Sequence, residues 1–398
     1  MEYFFSIMNQ RLRNLPDTFV RKPFAENAWN NRLLGIKGSR GVGKTTLLLQ
    51  YARHNLPLDY QTLYLSLDDI YFTSNNLSEL VADFVKNGGR FLLLDEVHRY
   101  ANWSIEIKNI YDNHPDLEKI IFTGSSVIEL AKAPADLSRR AVMFEMPGLS
   151  FREYLAFETG HTFDAVNLAD LLTNHISIAR EVNENIKPLM HFNNYLNYGY
   201  FPYYKENLEF YHQKVLQDVY LIIESDLSYA EGIGIAHQEK MKKLLYVLAS
   251  SPPFKPNVAK LASHIEIARN TLMNSLHILH KARLLGLLYA DPTGATLLQK
   301  PEKIFLFHPN LYFTLSRQAF DTGSLRETFF YNQLQAKNEI AYPKQYDFLV
   351  DGQYLFEIGG KNKKIPQGDG RQTVWVAKDN IEYGYKNQVP LWLFGFLY

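Results

Sequence analysis

The sequence predicts an α/β protein built on a parallel sheet, and three observations predict it. A short apolar run at residues 33–37 leads into a glycine-rich octet, with a helix-forming segment behind it. A second apolar run, residues 90–94, ends on two adjacent carboxylates, Asp95 and Glu96. Further strand-like runs at 61–67, 119–123 and 141–146 are interleaved with helical segments at 77–86 and 103–113. Strands buried on both faces read as near-continuous apolar runs, and alternation with helices is the pattern of parallel crossovers.

The octet comes first. Gly38-Ser39-Arg40-Gly41-Val42-Gly43-Lys44-Thr45, followed by Thr46, matches the phosphate-binding P-loop in full, and strand, loop and helix stand in the required order. The glycines let backbone N–H groups turn inward around phosphate oxygens, and the helix N-terminus adds its partial positive charge. Lys44 would reach the β- and γ-phosphates and the Thr45 hydroxyl would ligate Mg²⁺, so ATP and magnesium are the expected ligands.

The acidic strand end complements it. Asp95 would hold the metal, directly or through water, and Glu96 would orient and activate the attacking water. After 119–123 come Gly124, Ser125 and Ser126, where a polar side chain could touch the γ-phosphate; Ser125 is the first choice and Thr123 the second. The same segment could simply cap the next helix. Arg139 and Arg140, just before 141–146, are either fingers reaching a neighbouring subunit's nucleotide or a surface pair. In the first case activity depends on a homo-oligomer.

The chain as a whole bounds the problem. Its 398 residues are too many for one ordinary core, which predicts two or three domains. Hydrophobic residues make up 46% and charged residues 21%, as in folded globular chains, and 42 basic side chains balance 42 acidic ones, so no chain-wide nucleic-acid signal exists. Cysteine is absent, which excludes disulfides, thiolate metal sites and a cysteine nucleophile. No apolar run approaches the roughly 20 residues needed to cross a bilayer, and residues 1–10 lack a basic segment followed by an apolar one. The expectation is a cytoplasmic soluble protein with no membrane partner.

With these residues in view, the chain resembles the bacterial and archaeal AAA-type ATPases that carry a C-terminal domain of unknown function, the AAA_14 plus DUF4143 architecture. The octet, residues 64–69, 92–98 and 122–126, Leu137-Ser138-Arg139-Arg140, residues 147–155 and Gly199-Tyr200-Phe201-Pro202 carry the resemblance. It implies an AAA-like core, a following helical region and a winged-helix-like segment.

Residues 1–150 are therefore read as the AAA-like P-loop core and 151–250 as a helical region, with helices at 176–186 and 212–224 around an aromatic stretch, 197–204. That stretch suits core packing around a turn better than base stacking, because basic residues are scarce beside it. A proline-dense linker, 251–257, opens a winged-helix-like segment, 251–318. It has helices at 258–264 and 268–281 and wing strands at 284–289 and 304–307, around a turn at 291–294. Arg269, Asn270, Asn274, His277, Lys281 and Arg283 are modest coverage for DNA, so DNA binding and a packing or assembly role both stay open.

Residues 319–398 read as an α+β domain. Strands 346–350 and 354–358 flank an Asp351-Gly352-Gln353 turn. A three-residue loop puts Asp347 and Glu357 on one face for a divalent metal, whereas a two-residue loop sends them to opposite faces. Residues 325–361 resemble the restriction-endonuclease-like fold, with Glu327 in its upstream helix and Asp347 and Glu357 at the two acidic positions. The lysine of that family's Glu-x-Lys signature is here Gly359, and Lys361, Lys363 and Lys364 are substitutes in the loop.

The main functional expectation is Mg-dependent ATP binding and hydrolysis that drives conformational change in a partner or nucleic-acid complex. The alternatives are an ATP-regulated metal nuclease using Asp347 and Glu357, and a nucleotide-controlled DNA-binding or assembly switch with slow turnover.

Overall fold

The computed structural model describes residues 1–16, 19–21, 26–124, 137, 139–228, 232–250, 257–291, 299–316, 321–364 and 373–398. It divides into two compact units, Met1–Gly148 and Leu149–Tyr398.

The first unit opens with helix α1 (Glu2–Arg13), which buries Phe4, Met8 and Leu12 at helical spacing. Strand β1 (Leu33–Lys37), helix α2 (Lys44–Asn55), β2 (Thr62–Ser66), α3 (Leu77–Lys86), β3 (Phe91–Asp95), α4 (Trp103–Asn113), β4 (Lys119–Gly124) and β5 (Val142–Glu145) follow. The strands form one sheet in the order β2-β3-β4-β1-β5, every pairing parallel. Leu63, Leu65, Leu92, Leu94, Ile120 and Phe122 on one face and Tyr64, Leu93 and Ile121 on the other are all buried, which explains why these strands lack polar alternation. Edge strand β5 is covered less, with three of its four residues half-buried.

In the second unit, α5 (Phe151–Thr159) starts on a capping box: Ser150 Oγ accepts the Glu153 N–H at 3.1 Å, and Glu153 Oε2 accepts the Ser150 N–H at 3.0 Å. Helices α6 (Leu168–Asn185), α7 (Pro188–Tyr198), α8 (Tyr211–Leu221) and α9 (Ile235–Ala249) follow. Asn167 caps α6 nine residues before the predicted start, and Leu168, Leu171, Leu172 and His175 carry its buried face through the added turns at helical spacing. Helix α8 stops at Leu221 and a π-helical turn, Ile222–Asp226, takes over.

Tyr200, Phe201 and Tyr204 of the aromatic stretch are buried, and the ring of Tyr200 stacks on His308 at 4.0 Å. Asn310 fastens this turn: its Nδ2 donates to the carbonyls of Tyr195 and Leu196, and its Oδ1 accepts the Tyr200 N–H.

Next come α10 (Val258–Ile265), α11 (Arg269–Lys281) and the antiparallel pair β6 (Leu285–Leu288) and β7 (Lys303–Leu306). Residues 251–256 of the predicted linker and 292–294 of the predicted turn lie outside the described residues. Helices α12 (Asn310–Leu315) and α13 (Thr322–Leu334) precede a second sheet. Its strands are β8 (Ile340–Ala341), β9 (Phe348–Val350), β10 (Tyr354–Gly359), β11 (Val374–Lys378) and β12 (Gln388–Pro390), in consecutive order. The β8-β9 and β9-β10 pairings are antiparallel and the other two parallel. Phe330 of α13 packs its ring on Phe348, Phe356 and Phe394 at 4.8–5.0 Å.

Candidate nucleotide site

Strand β1 delivers the octet to the C-terminal edge of the parallel sheet, where open α/β sheets bind ligands. Gly41 and Gly43 have φ of 81° and 98°, which a side chain would oppose. Gly38 is needed for closeness instead: a Cβ there would lie 2.5 Å from the Met146 carbonyl oxygen. Helix α2 begins at Lys44 with Gly43 as its cap, so its first N–H groups, which have no acceptor within a helix, face the loop. Lys44, 5% exposed, donates from Nζ to the Gly38 and Ser39 carbonyls at 2.9 Å each.

Arg21 secures the loop from behind. Its guanidinium donates to the carbonyls of Val42, Pro147 and Gly148 at 3.4, 2.9 and 2.8 Å.

Strand β3 brings Asp95 against this loop. Thr45 Oγ1 donates to Asp95 Oδ2 at 2.7 Å, Tyr64 O–H donates to the same oxygen at 2.8 Å, and the Thr123 hydroxyl donates to Oδ1. Asp95 is 1% exposed, yet hydroxyls from α2, β2 and β4 satisfy it. Burial and the Asp95 charge push the Tyr64 phenol far above its ordinary pKa, so it acts only as a donor.

Glu96 sits at φ 53°, a sparsely populated region for a residue with a side chain, which turns it out of the strand direction. His98 Nε2 lies 3.5 Å from Glu96 Oε2. Burial, reinforced by Arg99, Lys44 and Arg40, lowers the His98 pKa to about 3, so the ring is neutral at neutral pH. Arg40, Thr45, Asp68, Asp95, Glu96 and Arg99 face an open cleft of about 820 Å³.

Lys44, Thr45, Asp95, Glu96 and Thr123 are thus gathered at one place. Ser125 lies outside the described residues. Arg139 is exposed, and Arg140 makes a two-pronged contact with Asp112, Nε to Oδ1 at 2.8 Å and Nη2 to Oδ2 at 3.0 Å. Tyr64, Arg21 and Arg11 escaped the sequence reading. Arg11 lines the same cleft, its guanidinium carbon 5.2 Å from the Tyr64 ring centre, but nothing in a helix ahead of the octet marks it.

Magnesium fits this donor set. A hydroxyl and a carboxylate oxygen, 2.7 Å apart at the mouth of a phosphate loop, are hard donors of the kind that hold the ion alongside phosphate oxygens.

The acids of the second unit are arranged differently. Tyr354 pairs with Val350 and Phe356 with Phe348, the three-residue-loop register, and Asp351 and Gly352 have φ of 52° and 68°. Asp347 and Glu357 nevertheless bond to lysines, Asp347 to Lys303 at 3.0 Å and Glu357 to Lys363 at 2.6 Å. Among the described residues no group of three or more His, Cys, Asp or Glu side chains converges to hold a metal. No described helix is long and apolar enough to cross a membrane.

A parallel sheet, a glycine loop opening a helix and a carboxylate on a neighbouring strand bonded to the threonine of that loop define a P-loop nucleotide-binding domain. Residues 30–155 match the AAA_14 family, described as an AAA domain, so this part of the chain is similar to that family. A Methanocaldococcus jannaschii protein described as uncharacterized is 30% identical over 293 residues, covering 68% of this chain and 60% of the relative. The chain thus spans less than two thirds of that protein's length. Among solved structures, AMPPCP-bound DnaA from Aquifex aeolicus aligns at 17% identity and TM-score 0.25, over 69% of this chain and 86% of that one. PCH-2 from C. elegans aligns at 14% identity and TM-score 0.25, over 69% and 67%. At these scores the likeness to both is partial.

Proposed function

We propose that the first unit binds Mg-ATP and hydrolyses it, and that the cycle changes how the second unit engages a partner. The observation that carries this reading is the 2.7 Å bond between Thr45 of the phosphate loop and Asp95 of the acidic strand. Lys44 neutralises the β- and γ-phosphates, and α2 contributes its N-terminal N–H groups. Thr45 and Asp95 hold the magnesium, which when bound withdraws electron density from the terminal phosphoryl group. Glu96, turned out of β3 toward the cleft, orients the attacking water and takes its proton, with His98 beside it as a neutral polar neighbour. Thr123 and Tyr64 keep the Asp95 carboxylate in one orientation. Ser125 as a γ-phosphate contact and Arg139 or Arg140 as a finger belong to the same proposal.

We extend the reading to residues 151–250 as a helical region, 251–318 as a winged-helix-like segment and 319–398 as a restriction-endonuclease-like segment of DUF4143 type. Support comes from the succession of α10, α11 and the β6-β7 pair, and from α13 beside a mixed sheet. A protein partner or a second copy is the reading taken; DNA on the α11 face, where Arg269, Asn270, Asn274 and Lys281 are exposed, is its competitor.

The deciding experiment is an ATPase assay of the whole chain with and without duplex DNA, single-stranded DNA and RNA, across salt concentrations. Lys44→Ala is expected to abolish nucleotide binding. Glu96→Gln should keep Mg-ATP bound while slowing hydrolysis by about 10²–10⁴-fold. Tight ATP binding by the Lys44 variant would overturn the site, and a salt-sensitive stimulation by DNA would replace the protein-partner reading.

A further inference from the structure

Apart from the nucleotide site, a cluster of buried charge stands out in the second unit. Lys303, the first residue of β7, has a side chain only 8% exposed, and its Nζ donates to Glu327 Oε2 on α13 at 2.8 Å and to Asp347 Oδ1 at 3.0 Å. The other Asp347 oxygen accepts the Ile358 N–H at 2.9 Å. Glu357 Oε2, in β10, accepts Lys363 Nζ at 2.6 Å. The stem of Lys363 lies over Gly359, where an added Cβ would meet its Cβ, Cγ and Cδ at 2.7–2.8 Å. A lysine from the following loop therefore fills the space left by the glycine, and its ammonium reaches the glutamate two residues before that glycine.

In residue type the cluster resembles a divalent-metal site: one acid on a helix, one ahead of a strand, and a third on the neighbouring strand beside a lysine. Yet an ammonium lies between Glu327 and Asp347. A divalent ion needs bonds of about 2.0–2.6 Å to such oxygens, and an ammonium bonded to both leaves no room for one. It also brings one positive charge rather than two, delivered by the chain itself. Burial alone would lower the Lys303 pKa, but Glu327 and Asp347 outweigh burial and hold it above the ordinary lysine value. The rings of Tyr342 and Phe348 lie 5.9 and 5.7 Å from the ammonium and add to its confinement.

We propose that Lys303 is a built-in cation that takes the metal position of this carboxylate cluster, so that the second unit refuses divalent ions there and performs no metal-dependent phosphodiester cleavage. The lysine ties β7 to α13 and to the strand hairpin, and the acids are kept for that tie. Removing it takes the direct counter-charge from two largely buried carboxylates, 12% and 19% exposed, which is costly until a cation arrives.

The test is a Mn²⁺ titration of the nucleotide-free whole chain, followed by electron paramagnetic resonance, with wild type, Lys303→Met and Lys303→Met/Asp347→Asn compared. Wild type is expected to show no Mn²⁺ site that depends on Asp347. Lys303→Met should gain one site at least tenfold tighter than any wild-type binding at this cluster, and the double variant should lose it. A folded Lys303→Met protein without a new site would overturn the proposal. So would a wild-type Mn²⁺ site, or a Mn²⁺-dependent DNA cleavage, that Asp347→Asn removes. These wild-type arms decide the matter even where Lys303→Met fails to fold.

Discussion

Tyr64 and Thr45 donate to the same oxygen of Asp95, at 2.8 and 2.7 Å. They come from β2 and α2, two elements that otherwise share no motif. With Thr123 on the other oxygen, the carboxylate has its direction fixed by the fold rather than by a ligand. Tyr64→Phe keeps the buried ring and removes one donor, which costs about 1 kcal/mol at Asp95, or roughly fivefold in the magnesium requirement of turnover. Steady-state rates across a Mg²⁺ series measure this. An unchanged magnesium dependence would reduce Tyr64 to a packing residue.

The loop glycines separate into two kinds. Gly43→Ala must hold a side chain at φ 98°, a cost of about 1–3 kcal/mol in the loop itself. Gly38→Ala instead drives a methyl group into the Met146 carbonyl, whose own N–H is bonded to Lys37 O at 2.7 Å, so neither backbone gives way easily. Both variants should lose ATP affinity and a few degrees of melting temperature, as about 1–3 kcal/mol of backbone strain or overpacking implies. Equilibrium dialysis with ATP beside thermal melts measures both losses. A Gly38→Ala protein with wild-type affinity would show that the β5 exit yields.

These residues also mark how much the sequence could say. The segments predicted for α3 and α4, 77–86 and 103–113, are the helices observed, because one apolar face recurs at helical spacing with no glycine or proline inside. The strand bounds were readable for a similar reason: β1, β2, β3 and β4 are buried on both faces. The order β2-β3-β4-β1-β5 was not, since it depends on pairings between distant segments. The octet announced Lys44 and Thr45, and the acids ending an apolar run announced Asp95. Tyr64 looked like any aromatic residue in a buried strand, and Lys303 like the polar start of a wing. The 351–353 hairpin turned on a single residue of loop length, which local sequence left undecided.

A buried histidine makes the second unit sensitive to acid. Burial lowers the His308 pKa from 6.5 to about 3, so the folded protein keeps the ring neutral while the unfolded chain protonates it. Its contribution is complete above pH 6.5 and is lost as the pH falls from 6.5 toward 3. Between about pH 7.5 and pH 5 this amounts to roughly 2 kcal/mol. His308→Phe retains a flat ring against Tyr200 and cannot protonate. Denaturant unfolding at the two pH values should show a loss smaller by that amount in the variant, and parallel losses would assign the acid sensitivity elsewhere.

Arg140 offers the sharpest choice between assembly and independence. Its contact with Asp112 is partly exposed, 28% and 36%, and exposed pairs are worth about 0–1 kcal/mol, with the two-pronged geometry placing this one at the upper end. Asp112 therefore holds the arginine loosely enough for a neighbouring subunit's phosphate to capture it. Asp112→Ala should leave stability within about 1 kcal/mol of wild type and turnover undiminished. Arg140→Ala, in contrast, should lower turnover by about 10³-fold where the guanidinium acts on a neighbour's nucleotide. Mixing Arg140→Ala with Glu96→Gln subunits then regenerates sites that contain both an intact glutamate and an intact arginine. Activity that rises above either parent and peaks at intermediate mixing ratios is the expected outcome. A flat profile in assemblies shown to be mixed would confine each site to one chain, and the pairing with Asp112 would be the whole role of Arg140.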